Sequence, residues 1–341
     1  MASRLPVVHL YTYLAAPLQE SLHKLCPGMA VVKVVGSNFD TYGLLPSAPT
    51  PEDVAALQEA EILVADPNLM PPLMHKLPQL KWVQSTWAGV DSMLKHLDKT
   101  KPLPSYTLTR FGGVFGPAMA EYVISNIVNR ERRAQKQWEN QRNGVWDRAG
   151  DIHNYRPLTM LSVGILGVGD IGKDIARYCK TFGMTVWGVV RRELSQDKRS
   201  PYVDHYRKFS ELPEVLQKCD YICCVLPSTA ETKGLLNGNI LESCKEKKSV
   251  FINIGRGDVI SEETIVNAIQ SGWISHAILD VFETEPLPAT SQLWKMPQVT
   301  ITPHVSAVSI PSQVAEMFYD NYQRYVKGEE LKYIINLENG Y

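Results

Sequence analysis

The chain has 341 residues, of which 44% are hydrophobic and 21% charged, and its formal net charge at pH 7 is −1. This length predicts about two domains, and the composition excludes collagen-like, disordered and disulfide-scaffold proteins. Because the net charge is close to zero, nothing attracts the whole molecule to a polyanion, and we expect no nucleic-acid partner.

No apolar run approaches the roughly 18 to 20 residues that span a bilayer, so we expect no membrane association. The N-terminal residues lack the basic start and long apolar stretch of a secretory signal. The six cysteines form no C-x-x-C pair and no cluster with histidines, which is typical of free thiols in a reducing compartment and predicts no metal site. The cytoplasm is therefore the expected location.

Short β-branched runs alternate with helical segments through the first 109 residues, which is typical of a parallel sheet with crossover helices. The predicted strands are 7–11, 30–35, 61–65, 80–85 and 106–109. The predicted helices between them are 18–25, 51–60 and 71–76.

A long polar helix is predicted next, from about residue 117 to residue 143. Its charge-rich part, residues 129–136, is better explained as a solvated or interface face than as a nucleic-acid contact, because the rest of the chain is not basic. A second βα series then has predicted strands at 162–166, 185–190, 221–225, 250–254, 277–279 and 299–302. The chain closes with a predicted helix at 309–327 and a short strand at 333–335.

The turn after the strand at 162–166 has the pattern G-x-G-x-x-G and leads directly into a helix. Gly167 permits the tight turn, Gly169 removes the Cβ that would block a pyrophosphate, and Gly172 lets the helix pack closely on the strand. The first turn of the helix offers N–H groups to an anion. Since strand, turn, helix and second strand are all present, the pattern predicts a dinucleotide site.

The residue at the end of the second strand distinguishes NAD from NADP. An acid at this point would bind the ribose 2′-hydroxyl of NAD, but Val190 stands there and is followed by Arg191 and Arg192. Two guanidiniums can pair with a 2′-phosphate through charge-assisted hydrogen bonds, although a solvated arginine pair at a strand end is the alternative. We therefore predict that NADP(H) is preferred over NAD(H).

Three further strands each end in a reactive residue, at the carboxyl edge where open α/β sheets bind ligands. Arg256 lies between two glycines, Glu285 follows the strand at 277–279, and His304 follows the strand at 299–302. Together with the glycine turn these segments read G-V-G-D-I-G, I-N-I-G-R-G, L-D-V-F-E-T-E-P-L and I-T-P-H. In order and spacing the chain resembles the D-isomer-specific 2-hydroxyacid dehydrogenase family over nearly its whole length, including A-G-V-D at 88–91 and the closing N-G-Y at 339–341.

The resemblance implies a catalytic group of three residues. Arg256 would bind the substrate carboxylate and polarise its keto oxygen, His304 would donate the proton, and Glu285 would pair with the histidine. This chemistry is consistent with the residue types, because a carboxylate beside an imidazole favours the protonated ring and a guanidinium matches a planar carboxylate.

The resemblance also implies residues that hold the cofactor and the substrate. The loop Trp87, Ala88 and Gly89 would meet the substrate carboxylate through backbone N–H groups, although Trp87 stands where the family often has glycine. Trp87 either shields or narrows a small pocket, or it packs on the domain surface. The implied cofactor contacts are Gly167, Gly169, Asp170, Ile171, Gly172, Arg191, Arg192, Leu226, Pro227, Thr232, Ile254 and Asp280.

The implied fold is α/β, with a Rossmann-type dinucleotide-binding domain inserted into a smaller flavodoxin-like domain. The NADP-binding domain would span residues 110–307, and residues 1–109 with 308–341 would form the substrate-binding domain. The implied reaction is the NADPH-dependent reduction of glyoxylate, hydroxypyruvate or a similar 2-keto acid to the D-2-hydroxy acid, in a homodimer that uses the long helix. The alternatives are an NAD-dependent dehydrogenase of a larger 2-hydroxy acid and a cofactor-sensing scaffold that resembles the corepressors of this fold.

Overall fold

The computed structural model describes residues 6–29, 32–34, 49–96 and 100–337. The chain divides into two compact units, of which unit 1 is Met1–Val114 with Ser309–Tyr341 and unit 2 is Phe115–Val308. Unit 2 therefore interrupts unit 1 in the chain, and its two boundaries lie five residues and one residue later than predicted. The closing residues 339–341 and the outer residues of the strand predicted at 30–35 lie outside the described part.

Unit 1 contains a five-stranded parallel sheet with the strand order β2-β1-β3-β4-β5. Its strands are β1 (Val8–Tyr11), β2 (Val32–Val34), β3 (Ile62–Ala65), β4 (Trp82–Ser85) and β5 (Thr107–Thr109). The helices between them are α1 (Ala15–Leu25), α2 (Pro51–Leu57) and α3 (Asp91–Leu94). All residues of β1, β3 and β4 are buried, as in parallel sheets that are covered on both faces.

The prediction of a helix at 71–76 is wrong. These residues form successive turns, in which Leu73 N bonds Met70 O and Lys76 N bonds Leu73 O. Two prolines begin the segment and Pro78 follows it, so too few N–H donors remain for a regular helix.

Unit 2 contains a seven-stranded parallel sheet with the strand order β12-β11-β10-β9-β6-β7-β8, which confirms the α/β class and the Rossmann-type domain. Its helices are α4 (Phe115–Glu131), α5 (Ala134–Arg142), α6 (Asp170–Thr181), α7 (Leu212–Lys218) and α8 (Glu262–Gln270). Its strands are β6 (Ser162–Leu166), β7 (Thr185–Val190), β8 (His205–Lys208), β9 (Tyr221–Cys224), β10 (Val250–Asn253), β11 (His276–Leu279) and β12 (Val299–Ile301). The chain returns to unit 1 with α9 (Pro311–Lys327).

The core of unit 2 lies on both faces of this sheet. Neighbouring residues of one strand enter opposite clusters, as Phe251 and Ile252 do in β10. The strand order reverses between β9 and β6, and such a reversal opens a crevice at the carboxyl ends of the strands. The edge strand β8 was missed because its residues are polar and only partly buried.

The single helix predicted at 117–143 is also wrong, because α4 ends at Glu131 and α5 begins at Ala134. Arg133 between them has φ 53, in the left-handed region. Arg133 pairs with Asp151 at 3.0 Å, and Glu131 accepts a hydrogen bond from Arg156 at 2.6 Å. These contacts with the segment after α5 outweigh the local preference for a continuous helix.

The strand predicted at 333–335 is reduced to one antiparallel bridge between Ile334 and Thr109. Tyr333 has φ 60, which bends the chain out of the extended conformation. All six cysteines are buried and free, as the sequence predicts. No helix within the described residues is long and apolar enough to cross a membrane, and no group of three or more metal-ligating side chains occurs there.

Candidate active site

The glycine turn between β6 and α6 contains three glycines with three different surroundings. Gly167 has φ +104, a conformation that favours glycine, and a Cβ on Gly172 would overlap the carbonyl oxygen of Gly167. In contrast, a Cβ on Gly169 would meet no heavy atom of the protein within 4 Å. The fold therefore requires Gly167 and Gly172, whereas Gly169 leaves an open cradle beside the first turn of α6. This cradle fits the pyrophosphate of a dinucleotide.

The predicted residues Asp170 and Ile171 form the first turn of α6. Asp170 is exposed, and Ile171 packs against the core of unit 2. The first helical hydrogen bond runs from Lys173 N to Gly169 O, so the N–H groups of Ile171 and Gly172 precede the first bond of the helical ladder. Ile171 thus fixes the helix, and the backbone in front of it can receive an anion.

Arg191 and Arg192 are exposed at the carboxyl end of β7, as predicted. The structure adds Glu231, which sequence reasoning missed: its Oε2 lies 3.1 Å from Nη1 of Arg191. Both side chains are exposed, so this ion pair contributes only about 0 to 1 kcal/mol.

The predicted residues after β9 shape a loop beside the glycine turn. The buried Leu226 places its Cδ2 3.1 Å from the position of a Cβ on Gly167. The Thr232 hydroxyl donates to Pro227 O at 2.6 Å and accepts from Thr229 N at 2.9 Å. Thr232 therefore closes this loop, and Pro227 lies exposed on its surface.

Arg256 is held on a rigid loop at the end of β10. A Cβ on Gly255 would lie 2.6 Å from Leu226 O, and a Cβ on Gly257 would overlap the backbone of Phe282. The Arg256 carbonyl accepts from Asn253 Nδ2 at 3.0 Å, and Nη1 of Arg256 donates to Gly255 O at 2.8 Å. Arg256 itself is partly exposed. The preceding Ile254 is only 2% exposed and packs into the core.

His304 and Glu285 form a hydrogen-bonded pair, with 2.8 Å between Nδ1 and Oε2. Oε1 of Glu285 accepts from Phe282 N at 2.9 Å. Burial by itself would raise the pKa of Glu285, but the His304 hydrogen bond and charge, the Phe282 N–H and the Arg256 charge together lower it. Glu285 is therefore a carboxylate at neutral pH. Because Nδ1 is engaged, Nε2 is the ring nitrogen of His304 that can serve a substrate.

Asp280 is fully buried directly after β11. Its Oδ1 accepts from Thr302 Oγ1 at 2.5 Å and from Val305 N at 2.9 Å, and its Oδ2 accepts from Ser306 N at 2.9 Å. The sequence indicated a cofactor residue here. In the structure the carboxylate holds the segment that carries His304.

The loop Trp87, Ala88 and Gly89 follows β4 in unit 1 and is partly buried. Phe111 N donates to Trp87 O at 3.0 Å, which holds the loop from the side of β5. The loop is also held by Asp66, which is 1% exposed and which was not predicted from the sequence. Asp66 accepts from the hydroxyl of Thr86, from Thr12 Oγ1 at 2.8 Å and from Tyr13 N at 2.7 Å. Asp66 therefore anchors the beginning of the Trp87 loop.

Comparison with known proteins extends this description. Residues 124–306 match the profile described as "D-isomer specific 2-hydroxyacid dehydrogenase, NAD binding domain". A D-isomer specific 2-hydroxyacid dehydrogenase family protein from Aeromonas salmonicida is 33% identical, with a TM-score of 0.84, and the match covers 98% of this chain and 100% of that one.

Two other solved structures were crystallised with a cofactor. An NADPH-dependent glyoxylate/hydroxypyruvate reductase from Sinorhizobium meliloti, in complex with NADP and sulfate, is 26% identical with a TM-score of 0.77, covering 98% of this chain and all of that one. A D-isomer specific 2-hydroxyacid dehydrogenase from Xanthobacter autotrophicus, in complex with NADPH and MES, is 27% identical with a TM-score of 0.79, covering 99% and 100%. The profile match and the similarity over the whole chain show that this protein belongs to the D-isomer specific 2-hydroxyacid dehydrogenase family.

Proposed function

We propose that the protein reduces a short 2-keto acid, such as glyoxylate or hydroxypyruvate, to the D-2-hydroxy acid with NADPH. The observation that carries this proposal is the 2.8 Å pair of His304 and Glu285 beside the loop that presents Arg256. The pair supplies a proton donor, and the loop supplies a cation. The reduction of a keto group next to a carboxylate needs both of them.

Three residues of unit 2 have separate roles in the reaction. NADPH, held at the glycine turn, would supply the hydride for the carbonyl carbon. The Arg256 guanidinium binds the substrate carboxylate and stabilises the charge that grows on the keto oxygen. His304 donates the proton from Nε2 to that oxygen, and Glu285 orients the ring through its hydrogen bond with Nδ1. The neutral imidazole that remains takes up a proton from solvent before the next turnover.

In unit 1, we propose that the loop of Trp87, Ala88 and Gly89 contributes to binding the substrate carboxylate through the backbone N–H groups of Ala88 and Gly89, because the N–H of Trp87 donates to Ser85 Oγ at 3.0 Å. Asp66 and Phe111 hold this loop, which supports such a positioning role.

The choice of NADPH over NADH depends on the end of β7. Val190 offers no carboxylate to a ribose hydroxyl, and Arg191 and Arg192 are exposed beside it. The ion pair of Arg191 with Glu231 is exposed and weak, so it competes poorly with a 2′-phosphate. The cofactors in the two related crystal structures give further support. Of the other predicted cofactor residues, we propose that Leu226, Pro227 and Thr232 lie along the adenosine side and that Ile254 and Asp280 lie near the nicotinamide.

Steady-state kinetics with a panel of keto acids test both parts of the proposal. We expect turnover of short keto acids, and a kcat/KM for NADPH well above that for NADH. Arg191→Ala should lower kcat/KM for NADPH about tenfold or more, since it removes a hydrogen bond to a charged group, and should leave NADH use unchanged. Lys218→Ala, which removes an exposed cation at the end of α7, is the matched control. Absence of turnover on every keto acid would favour a cofactor-sensing scaffold.

We further infer a homodimer and a reducing compartment such as the cytoplasm. Large apolar side chains are exposed in and after α5, and Trp146 is 92% exposed. Large exposed apolar side chains are common at protein interfaces. The exposed side chains of this segment are Trp138, Val145, Trp146 and Met160. The six free cysteines support the reducing compartment.

A further inference from the structure

Three side chains connect α4 with the segment that carries His304. The hydroxyl of Tyr122 lies 2.7 Å from Oγ1 of Thr302, and this Oγ1 lies 2.5 Å from Oδ1 of Asp280. The single hydroxyl hydrogen of Thr302 points to the carboxylate, which can only accept, so Tyr122 donates to Thr302. Burial raises the pKa of Tyr122 to about 12, and its hydroxyl therefore keeps its proton at any working pH.

Asp280, the buried end of these three hydrogen-bonded side chains, holds the backbone N–H groups of the histidine and of the two residues that follow it. Its carbonyl accepts from His304 N at 2.9 Å, and its carboxylate accepts from Val305 N and Ser306 N, both at 2.9 Å. His304 has φ 54, a left-handed conformation that is unfavourable for a side chain of this size. A residue keeps such a conformation only where its surroundings impose it.

We propose that Tyr122 and Thr302 are positioning residues of the reaction, because they orient the Asp280 carboxylate that holds His304 in its strained backbone conformation. This inference rests on the proposed role of His304 as the proton donor. We call the hydrogen-bonded chain of Tyr122, Thr302 and Asp280 the histidine latch. The latch directs Nδ1 of His304 to Glu285 and leaves Nε2 for the substrate.

Loss of the Tyr122 or Thr302 hydroxyl should lower the rate rather than weaken the binding of the cofactor. A displacement of about 1 Å in a catalytic group can cost two orders of magnitude in rate. Loss of the Tyr122 hydroxyl leaves Thr302 bound to Asp280, so the loss should be smaller, about three- to tenfold in kcat. The KM for NADPH should stay within about twofold, because neither Tyr122 nor Thr302 is itself a proposed cofactor contact and Val305 N and Ser306 N still bond the Asp280 carboxylate.

The test compares single variants with a matched control. Tyr122→Phe and Thr302→Val remove one hydroxyl each, and Thr302→Ser keeps the hydroxyl and should restore wild-type kcat. Tyr178→Phe is the control, because Tyr178 is also partly buried against the same core cluster. A Tyr122→Phe variant with wild-type kcat would overturn the proposal. So would a rise in the KM for NADPH without a change in kcat, which would assign the latch to cofactor binding.

Amide hydrogen exchange tests the latch independently of the proposed reaction. In Tyr122→Phe the amides of His304, Val305 and Ser306 should exchange about three- to tenfold faster than in the wild type, whereas Tyr178→Phe should not change them. Unchanged exchange in Tyr122→Phe would contradict the latch even if the enzyme is active. Faster exchange in a protein that turns over no keto acid would support the latch and reject the proposed function.

Discussion

The open space at Gly169 leads to a prediction that separates cofactor binding from folding. Gly169 has φ −86, which alanine also adopts, and its Cβ would meet no protein atom within 4 Å. Gly169→Ala should therefore change the free energy of unfolding by no more than about 0.5 kcal/mol. The methyl group would instead occupy the cradle that we assign to the pyrophosphate.

The expected loss in affinity follows from this overlap. Forcing one extra methyl group into a well-packed contact costs about 1 to 3 kcal/mol. The Kd for NADPH should thus rise about 5- to 150-fold in Gly169→Ala, since every 1.4 kcal/mol is a factor of ten. The measurement is a fluorescence titration with NADPH, together with urea unfolding in the absence of cofactor.

Gly172→Ala provides the matched comparison within the same turn. Its Cβ would overlap the carbonyl oxygen of Gly167, so this variant should lose about 1 to 3 kcal/mol of folding stability. A wild-type Kd for NADPH in Gly169→Ala would refute the cradle at Gly169, and so would a loss of stability in the cofactor-free Gly169→Ala protein as large as that of Gly172→Ala.

Three further predictions concern other parts of the chain. His304→Ala should lower kcat about a hundredfold or more, whereas the exposed control His75→Ala should not, and equal rates would remove His304 from the mechanism. Burial raises the pKa of Asp66 despite its three hydrogen bonds. Protonated Asp66 therefore stabilises the folded protein fully below the unfolded-state pKa, and this contribution to the free energy of unfolding is lost as the pH rises through the folded-state pKa. Urea unfolding should accordingly show the stability of Asp66→Asn, relative to wild type, rising with pH from 4 to 8, and a constant difference would contradict this. Trp146→Ser should shift a wild-type dimer toward monomer in light scattering, and a monomeric wild type would disprove the assigned interface.

Much of the fold could be predicted because its signals are local. The eleven predicted strands that occur in the two sheets begin and end within two residues of their observed positions. β-branched runs favour strands wherever they stand, and a glycine turn between strand and helix has few alternatives. The edge strand β8 lacked this signal, because its polar residues take strand conformation only through pairing with β7.

The candidate site was predicted in part for the same reason. Arg256, Glu285 and His304 each follow a strand end, and the parallel sheet brings the ends of β10, β11 and β12 to one edge. Tyr122 precedes these residues by more than a hundred positions, and no local sequence pattern predicts that a tyrosine on this helix contacts Thr302. The ion pair of Arg191 with Glu231 could not be predicted either, since it joins two exposed loops that are distant in the sequence.

The sequence by itself determined the class of fold, the dinucleotide turn and the residue types of the reaction, because each depends on a few neighbouring residues. The tertiary structure decided which groups hold those residues in place. Arg133 breaks the predicted long helix because of contacts with a later segment, and Asp280 holds His304 through hydrogen bonds across β11 and β12. Such contacts depend on distances between remote parts of the chain, and only packing of the folded molecule sets these distances.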